Sequence, residues 1–304
     1  KTYFIFAVAK YHSSPNSRVW GCCVPVLVAP LLTQRLIVVC RAAHNNPTST
    51  LQSPDYIKPF FVGLVDGDGS LQVNHWRQRY LQYRIVIKLK NIESNVIMLE
   101  YIKTVIGGKV RVDNKRNFVY WVTDSRTHIQ SIFGIFERYP PLTTRVACQL
   151  CFMKQCIEKN NIDWYFNNRN NKYHSRIEKL KLLNTEVELF KVKTLSYLEK
   201  LPYIQAWVSG FIEAEGCFTL PAQNNLSFSI SQNNEYDLLN FIRYFFNITA
   251  KIRFVKSSPL IILETAQLNA LIKISEHVNH YPLLGAKKDA FELFYNALKN
   301  KKLC

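Results

Sequence analysis

Phe61-Val62-Gly63-Leu64-Val65-Asp66-Gly67-Asp68-Gly69 and Val208-Ser209-Gly210-Phe211-Ile212-Glu213-Ala214-Glu215-Gly216 are two versions of one pattern. Each is an apolar run with small residues four apart, Gly63 and Gly67 in the first, Gly210 and Ala214 in the second. Each ends in an acid followed by glycine. Small residues at i and i+4 share one helix face, so two such helices can approach backbone to backbone. Packed side by side, they bring Asp68 and Glu215 together at one end of their interface. Two carboxylates so placed repel unless a cation sits between them, and the geometry predicts a divalent-metal site.

The two runs sit inside a longer repeat. Lys109-Val110-Arg111-Val112 matches Lys251-Ile252-Arg253-Phe254, and Tyr139-Pro140-Pro141-Leu142 matches Tyr281-Pro282-Leu283-Leu284, with each tyrosine 30 residues after its lysine. Asn91 and Asn233 each precede the lysine by 18. From Asp68 and Glu215 the distances to those lysines are 41 and 36, so five extra residues fall between Asp68 and Asn91, where a longer hairpin accommodates them. A repeat of about a hundred residues is a duplicated domain rather than a solenoid unit. Residues 1–55 then form an N-terminal extension, 56–159 the first repeat, 160–202 a linker and 203–304 the second repeat.

Each half reads helix, two strands, helix, two strands, helix. The first helix is expected to start after Pro59 and end at Gly69, and Gly107-Gly108 to end the helix between the strand pairs. Tyr83 to Lys90 alternates, with Ile85, Ile87 and Leu89 on one face and Arg84, Lys88 and Lys90 on the other. A strand with an apolar back and a basic front suits a sheet that packs helices behind it and lies on a polyanion. Lys109 and Arg111, and again Lys251 and Arg253, repeat the basic face. Between the halves, Asn160 to Lys200 is polar and reads as a linker with some helix near Ser175 to Phe190.

The doubled motif resembles the one that names the LAGLIDADG homing endonucleases of the double-motif, organellar intron-encoded type. The first copy keeps six of the nine letters or close equivalents, and the second reads as the family's GFIEAEG variant. The resemblance implies an α+β fold: two tandem αββαββα repeats forming a pseudo-two-fold saddle, with antiparallel DNA-facing sheets and a two-helix central interface.

Composition agrees with a polyanionic partner. Lys+Arg 39 against Asp+Glu 22 gives a net charge of +17. The eight cysteines imply neither a disulfide framework nor zinc: Cys148 and Cys151 form a lone CxxC with Cys156 nearby, and no second pair supplies the missing ligands. Asp66-Gly67-Asp68-Gly69-Ser70 begins like an EF-hand loop, but that loop needs Gly at its sixth position and Glu at its twelfth. Counting from Asp66 gives Leu71 and Arg77, so the calcium-loop reading fails. The apolar run Val19–Val39 is broken by Pro25, Pro30, Gln34 and Arg35, too interrupted for a spanning helix, and no membrane partner is expected. The chain begins without Met. Many members of the family are read in frame from an upstream exon, and residues 1–55 are expected to be such an extension or a fragment end.

Phosphodiester hydrolysis needs a nucleophilic water and a stabilised leaving oxygen, and paired metals supply both. Asp68 and Glu215 are the metal-ligand candidates; the resemblance adds the backbone carbonyls of Gly67 and Ala214. The inner acids Asp66 and Glu213 lie about 200° round the helix and cannot serve the same metal. They are expected to cap, or to pair with basic residues. The resemblance further implies peripheral groups that position water and steady the phosphate. The matched pairs Arg145 with Lys287 and Lys90 with Gln232 qualify, although the family usually has Lys where Arg145 stands, and Arg cannot act as a general base.

The resemblance thus implies a monomeric enzyme that uses Mg2+ or Mn2+, with Ca2+ able to bind without supporting cleavage. It cuts both strands of a long double-stranded DNA site and is mitochondrial, of fungal type. Two alternatives stay open: an RNA maturase whose partner is the host intron RNA, and a DNA-binding regulator that lost the metal. The five extra residues place Asn74, His75, Trp76, Arg77, Gln78 and Arg79 on a long hairpin, opposite a shorter uncharged turn near Gln223-Asn224-Asn225. Arg77 and Arg79 are expected to read guanines in the first half-site.

Overall fold

The computed structural model describes residues 54–173, 198–220 and 226–302. Residues 1–53, the helix expected near Ser175–Phe190 and the turn Gln223-Asn224-Asn225 lie outside the described residues. The described residues belong to one compact unit.

The chain runs α1 (Pro54–Asp68), β1 (Gly69–Trp76), β2 (Tyr80–Lys90), α2 (Glu93–Ile106), β3 (Lys109–Asp113), β4 (Phe118–Thr123), α3 (Arg126–Arg138), α4 (Thr144–Lys159) and α5 (Ile162–Asn168). The second half gives α6 (Ile204–Glu215), β5 (Gly216–Thr219), β6 (Ser227–Asn233), α7 (Tyr236–Phe245), β7 (Arg253–Phe254), β8 (Leu260–Thr265), α8 (Leu268–His280) and α9 (Ala286–Lys302). Each half builds a four-stranded antiparallel sheet with the same strand order, β1-β2-β4-β3 and β5-β6-β8-β7. The α+β architecture expected from the repeat is present.

The two motif helices, α1 and α6, form the centre. A Cβ at Gly63 would stand 2.1 Å from the Trp207 carbonyl oxygen, and one at Gly210 would stand 1.9 Å from that of Phe60. The backbones therefore touch, and only glycine fits at either crossing. Phe60, Phe61, Leu64, Trp207, Phe211 and Ile212 are fully buried around this contact, and one hydrophobic cluster runs through both halves.

Four expectations need correcting. Helix α1 begins at Pro54, with Pro59 inside it. Proline there removes only the bond to the Asp55 carbonyl, close to an end whose first N–H groups are unpaired anyway. Burial of Tyr56 and Ile57 holds that first turn. Each half also ends in two helices rather than one, split at Tyr139-Pro140-Pro141 and Tyr281-Pro282, where the donor-less prolines cannot continue a helix. The linker, third, opens with α5.

The fourth concerns register. Gly69 pairs with Ile87 and Gly216 with Ile230, while β4 and β8 keep the spacing of Lys109 and Lys251. Four of the five extra residues thus lie in the β1–β2 hairpin, and the fifth lies between β2 and β3. Leu89, and not Lys90, is the counterpart of Gln232: Leu89 pairs with Val119, and Gln232 with Ile261.

Candidate active site

Asp68 and Glu215 are the last residues of α1 and α6, each followed by the glycine that opens a strand. The crossing glycines fix how far apart these ends lie. A Cβ at Gly67 would stand 2.2 Å from the Ala214 Cβ and 3.4 Å from Glu215 Oε1, so the Glu215 carboxylate abuts the turn that carries Asp68. Both acids are half-buried. Burial, then repulsion from Glu215, raises Asp68 to about 8; Lys287 and Arg145 pull against that rise. Burial raises Glu215 too, opposed by Arg145, Lys287 and a hydrogen bond from Gln232. The relief is crossed: Asp68 feels Lys287 of the other half more strongly, and Glu215 feels Arg145.

This donor set fits a hard divalent cation. Burial raises both carboxylates and Glu215 repels Asp68, so a positive charge placed between them is favoured. Among the described residues no cluster of three or more His, Cys, Asp or Glu side chains surrounds them, so further oxygens must come from backbone, water or phosphate.

The inner acids are helix caps. Asp66 is fully buried and accepts from the backbone N–H groups of Leu142 at 2.8 Å and Thr143 at 3.1 Å, from the Thr143 hydroxyl, and from Trp207 Nε1 at 2.8 Å. Glu213 accepts from the N–H groups of Leu284, Gly285 and Lys287, each at 3.0 Å. Each thereby satisfies unpaired donors at the start of α4 or α9. Burial raises Asp66 to about 6 and Glu213 to about 7, and the same hydrogen bonds hold them down. Their hydrogen bonds go to backbone donors, Thr143 and Trp207, and to no basic side chain.

Each of these helix starts also takes an acceptor from the opposite half. The Thr144 N–H donates to Glu235 Oε1 at 2.7 Å, and the Ala286 N–H donates to Asn95 Oδ1 at 3.0 Å. Thr143, just before a helix and after a proline pair, carried a readable N-cap signal. Trp207, Glu235 and Asn95 carried none, because their roles exist only once the halves are packed.

Arg145 is engaged within the protein. Its guanidinium donates to the carbonyls of Gly69 at 2.6 Å, Asp66 at 2.7 Å and Gly67 at 2.8 Å, closing the C-terminal turn of α1. The Asp66 and Gly67 carbonyls are orphans of the helix end and Gly69 opens β1, and a planar fork is the side chain that can gather several carbonyls at once. Arg145 therefore bonds α1, including one of the carbonyls expected to face metal. Lys287, its counterpart, is half-buried.

Gln232 donates to Glu215 Oε1 at 2.7 Å. Lys90 is exposed on the outer face of β2. Arg77, Arg79, Arg84, Lys88, Lys109, Arg111, Lys251 and Arg253 are all exposed. Some are engaged: Lys109 meets Asp124 at 3.4 Å, Arg253 meets Glu264 at 2.6 Å, and Lys88 Nζ lies 3.8 Å above the Phe118 ring. On the same outer face Gln72 lies opposite Arg84 and Asn74 opposite Gln82, and of these amides only Asn74 was expected there from the sequence.

The sequence family described as LAGLIDADG endonuclease matches residues 61–156 and 208–298, the two segments that carry the matched helices and sheets. The chain belongs to the LAGLIDADG endonuclease family. A "Probable intron-encoded endonuclease aI3" of Dictyostelium citrinum is 40% identical over 244 residues, covering 79% of this chain and 94% of that protein. One of the same name from Debaryomyces hansenii is 39% identical over 277 residues, covering 82% of this chain but only 39% of its own length. In solved structures the LAGLIDADG fold matches I-SmaMI bound to uncleaved DNA target in the presence of calcium ions, with a TM-score of 0.57 at 17% identity, covering 81% of this chain and 92% of that one. Among the described residues no helix is long and apolar enough to cross a membrane.

Proposed function

We propose that this LAGLIDADG protein is a site-specific DNA endonuclease that breaks both strands of a long, asymmetric site in a divalent-metal-dependent reaction. The observation that carries the reading is the pair Asp68 and Glu215, half-buried at the abutting ends of α1 and α6. A purely binding protein gains nothing from keeping two repelling carboxylates there.

Asp68 and Glu215 would hold the cation, with the Ala214 and Gly67 carbonyls nearby. Mg2+ or Mn2+ bound there would activate water and stabilise the leaving oxygen. Gln232 orients the Glu215 carboxylate through its 2.7 Å bond. Arg145 fixes the turn that carries Asp68, and Lys287 is the cation left to meet phosphate. The exposed lysines and arginines of both sheets supply affinity by releasing counterions. The unequal halves suit one asymmetric site bound by a monomer. The intron-encoded relatives point to a mitochondrial setting.

Incubating the purified protein with intron-free DNA of its host gene, with and without Mg2+, tests the reading. One discrete double-strand cut that needs the metal supports it, and intact DNA under both conditions contradicts it.

A further inference from the structure

The β1–β2 hairpin outruns its sheet. Strand β4 joins β2 only from Ile85 onward, so Gln72–Trp76 and Tyr80–Arg84 form a two-stranded ribbon. Such a ribbon is marginal by itself in water. Its three-residue turn adds strain, since Arg77 and Gln78 both sit in the left-handed region at φ 49° and 56°, which hairpin turns usually fill with Asn or Gly. Something else must hold this ribbon.

A satellite core does so from behind. Phe152 and Cys156 of α4 and Tyr165 of α5 are buried together, with Val73, Leu81 and Tyr83 of the ribbon packed on them. The Tyr165 hydroxyl donates to the Val73 carbonyl at 3.1 Å, and that of Tyr83 donates to the Cys156 carbonyl at 3.0 Å. Gln149 Oε1 accepts from the Leu71 N–H at 2.9 Å. Nearest the tip, the His75 ring lies 5.0 Å from Phe166, and His75 Nδ1 accepts from the Gln78 N–H at 3.2 Å. The chain from Phe166 through His75 to the turn is therefore continuous.

We infer that α5 is a buttress that sets the reach and angle of the hairpin tip. Tyr165 and Phe166 are then positioning residues for specificity in the first half-site, acting through Arg77 and Arg79 from the face away from DNA. The inference rests on the endonuclease reading above. It differs from that reading in placing part of base selection in the segment that follows the first repeat.

The test selects a preferred site from a randomised DNA library with the wild-type protein, then measures binding to every single-base variant of it. Phe166→Ala and the milder Tyr165→Phe should flatten discrimination by about tenfold at the outermost base pairs of one half-site and leave the other positions unchanged. Added to Arg77→Ala/Arg79→Ala, neither should cause further loss. An unaltered profile in both variants, a uniform loss at every position, or a loss that adds to the arginine substitutions would overturn the inference while the endonuclease reading stands. A wild-type protein that enriches no sequence would overturn both.

Discussion

Tyr56 donates its hydroxyl to the Pro282 carbonyl at 2.5 Å, and Tyr203, its counterpart 147 residues later, donates to the Pro140 carbonyl at 3.2 Å. Each tyrosine starts from the motif helix region of one half and ends on the Tyr-Pro break of the other. Their rings repeat the crossing: Tyr56 stacks on Tyr281 and Tyr203 meets Tyr139 edge-on. The helix breaks thus serve as docking points for the opposite half. Tyr56→Phe and Tyr203→Phe should each cost about 1 kcal/mol of stability, the usual net worth of such a bond. Urea unfolding measures this, and unchanged midpoints in both variants would mean the carbonyls find other donors.

The central crossing makes a prediction of opposite sign to helix propensity. Ala is favoured over Gly in a helix by about 1 kcal/mol. Gly63→Ala and Gly210→Ala should nevertheless destabilise, because each new methyl meets a backbone carbonyl of the facing helix at about 2 Å. Thermal melts give the sign directly. A raised melting temperature in either variant would deny the backbone contact.

Arg145 is predicted to act on the protein before it acts on DNA. Arg145→Ala strips donors from three carbonyls at the junction of α1 and β1 and should cost about 1–3 kcal/mol. Arg145→Lys should recover only part of this, since a single ammonium cannot span the fork. If Arg145→Ala melts like wild type and only binds DNA more weakly, the guanidinium belongs to phosphate.

His277 gives a pH dependence. It is buried beside Ser209 Oγ at 3.0 Å and the Gln205 side chain at 3.1 Å, and burial, then His280, lowers it to about 3. The unfolded imidazole titrates near 6.5. Between about pH 3 and 6.5 the unfolded chain holds a proton that the native chain does not, so stability falls as pH falls through that window, by at most about 1.4 kcal/mol per pH unit. Asp66 and Glu213, raised on folding, act with the opposite sign. The comparison of wild type with His277→Gln therefore isolates the histidine: the variant should lose about one proton from the slope between pH 4 and 6. Equal slopes would contradict a neutral buried ring.

The sequence made legible whatever was written in local spacing. Gly63 and Gly67 with Gly210 and Ala214 declared a close helix pair, and the alternation from Tyr83 to Lys90 declared a strand with a basic face. What depended on three dimensions was not legible. An arginine six residues after a repeated tyrosine reads equally as phosphate contact or helix cap until the end of α1 is placed beside it. Equal spacing from Asn91 and Asn233 to their lysines hid a one-residue insertion between β2 and β3, because spacing counts residues while the sheet pairs them, so Leu89 and not Lys90 matches Gln232. Asp66 and Glu213 could be excluded from the metal by helix geometry, but the backbone donors they cap became visible only with α4 and α9 in place.

The claim at the centre is that Asp68 and Glu215 serve the chemistry and not the binding. The most direct measurement sets cleavage beside DNA affinity for Asp68→Asn and Glu215→Gln, each of which removes a charge at nearly constant shape. Double-strand cleavage should vanish in both while affinity for the same DNA stays near the wild-type value. Full cutting by either variant would contradict the assignment.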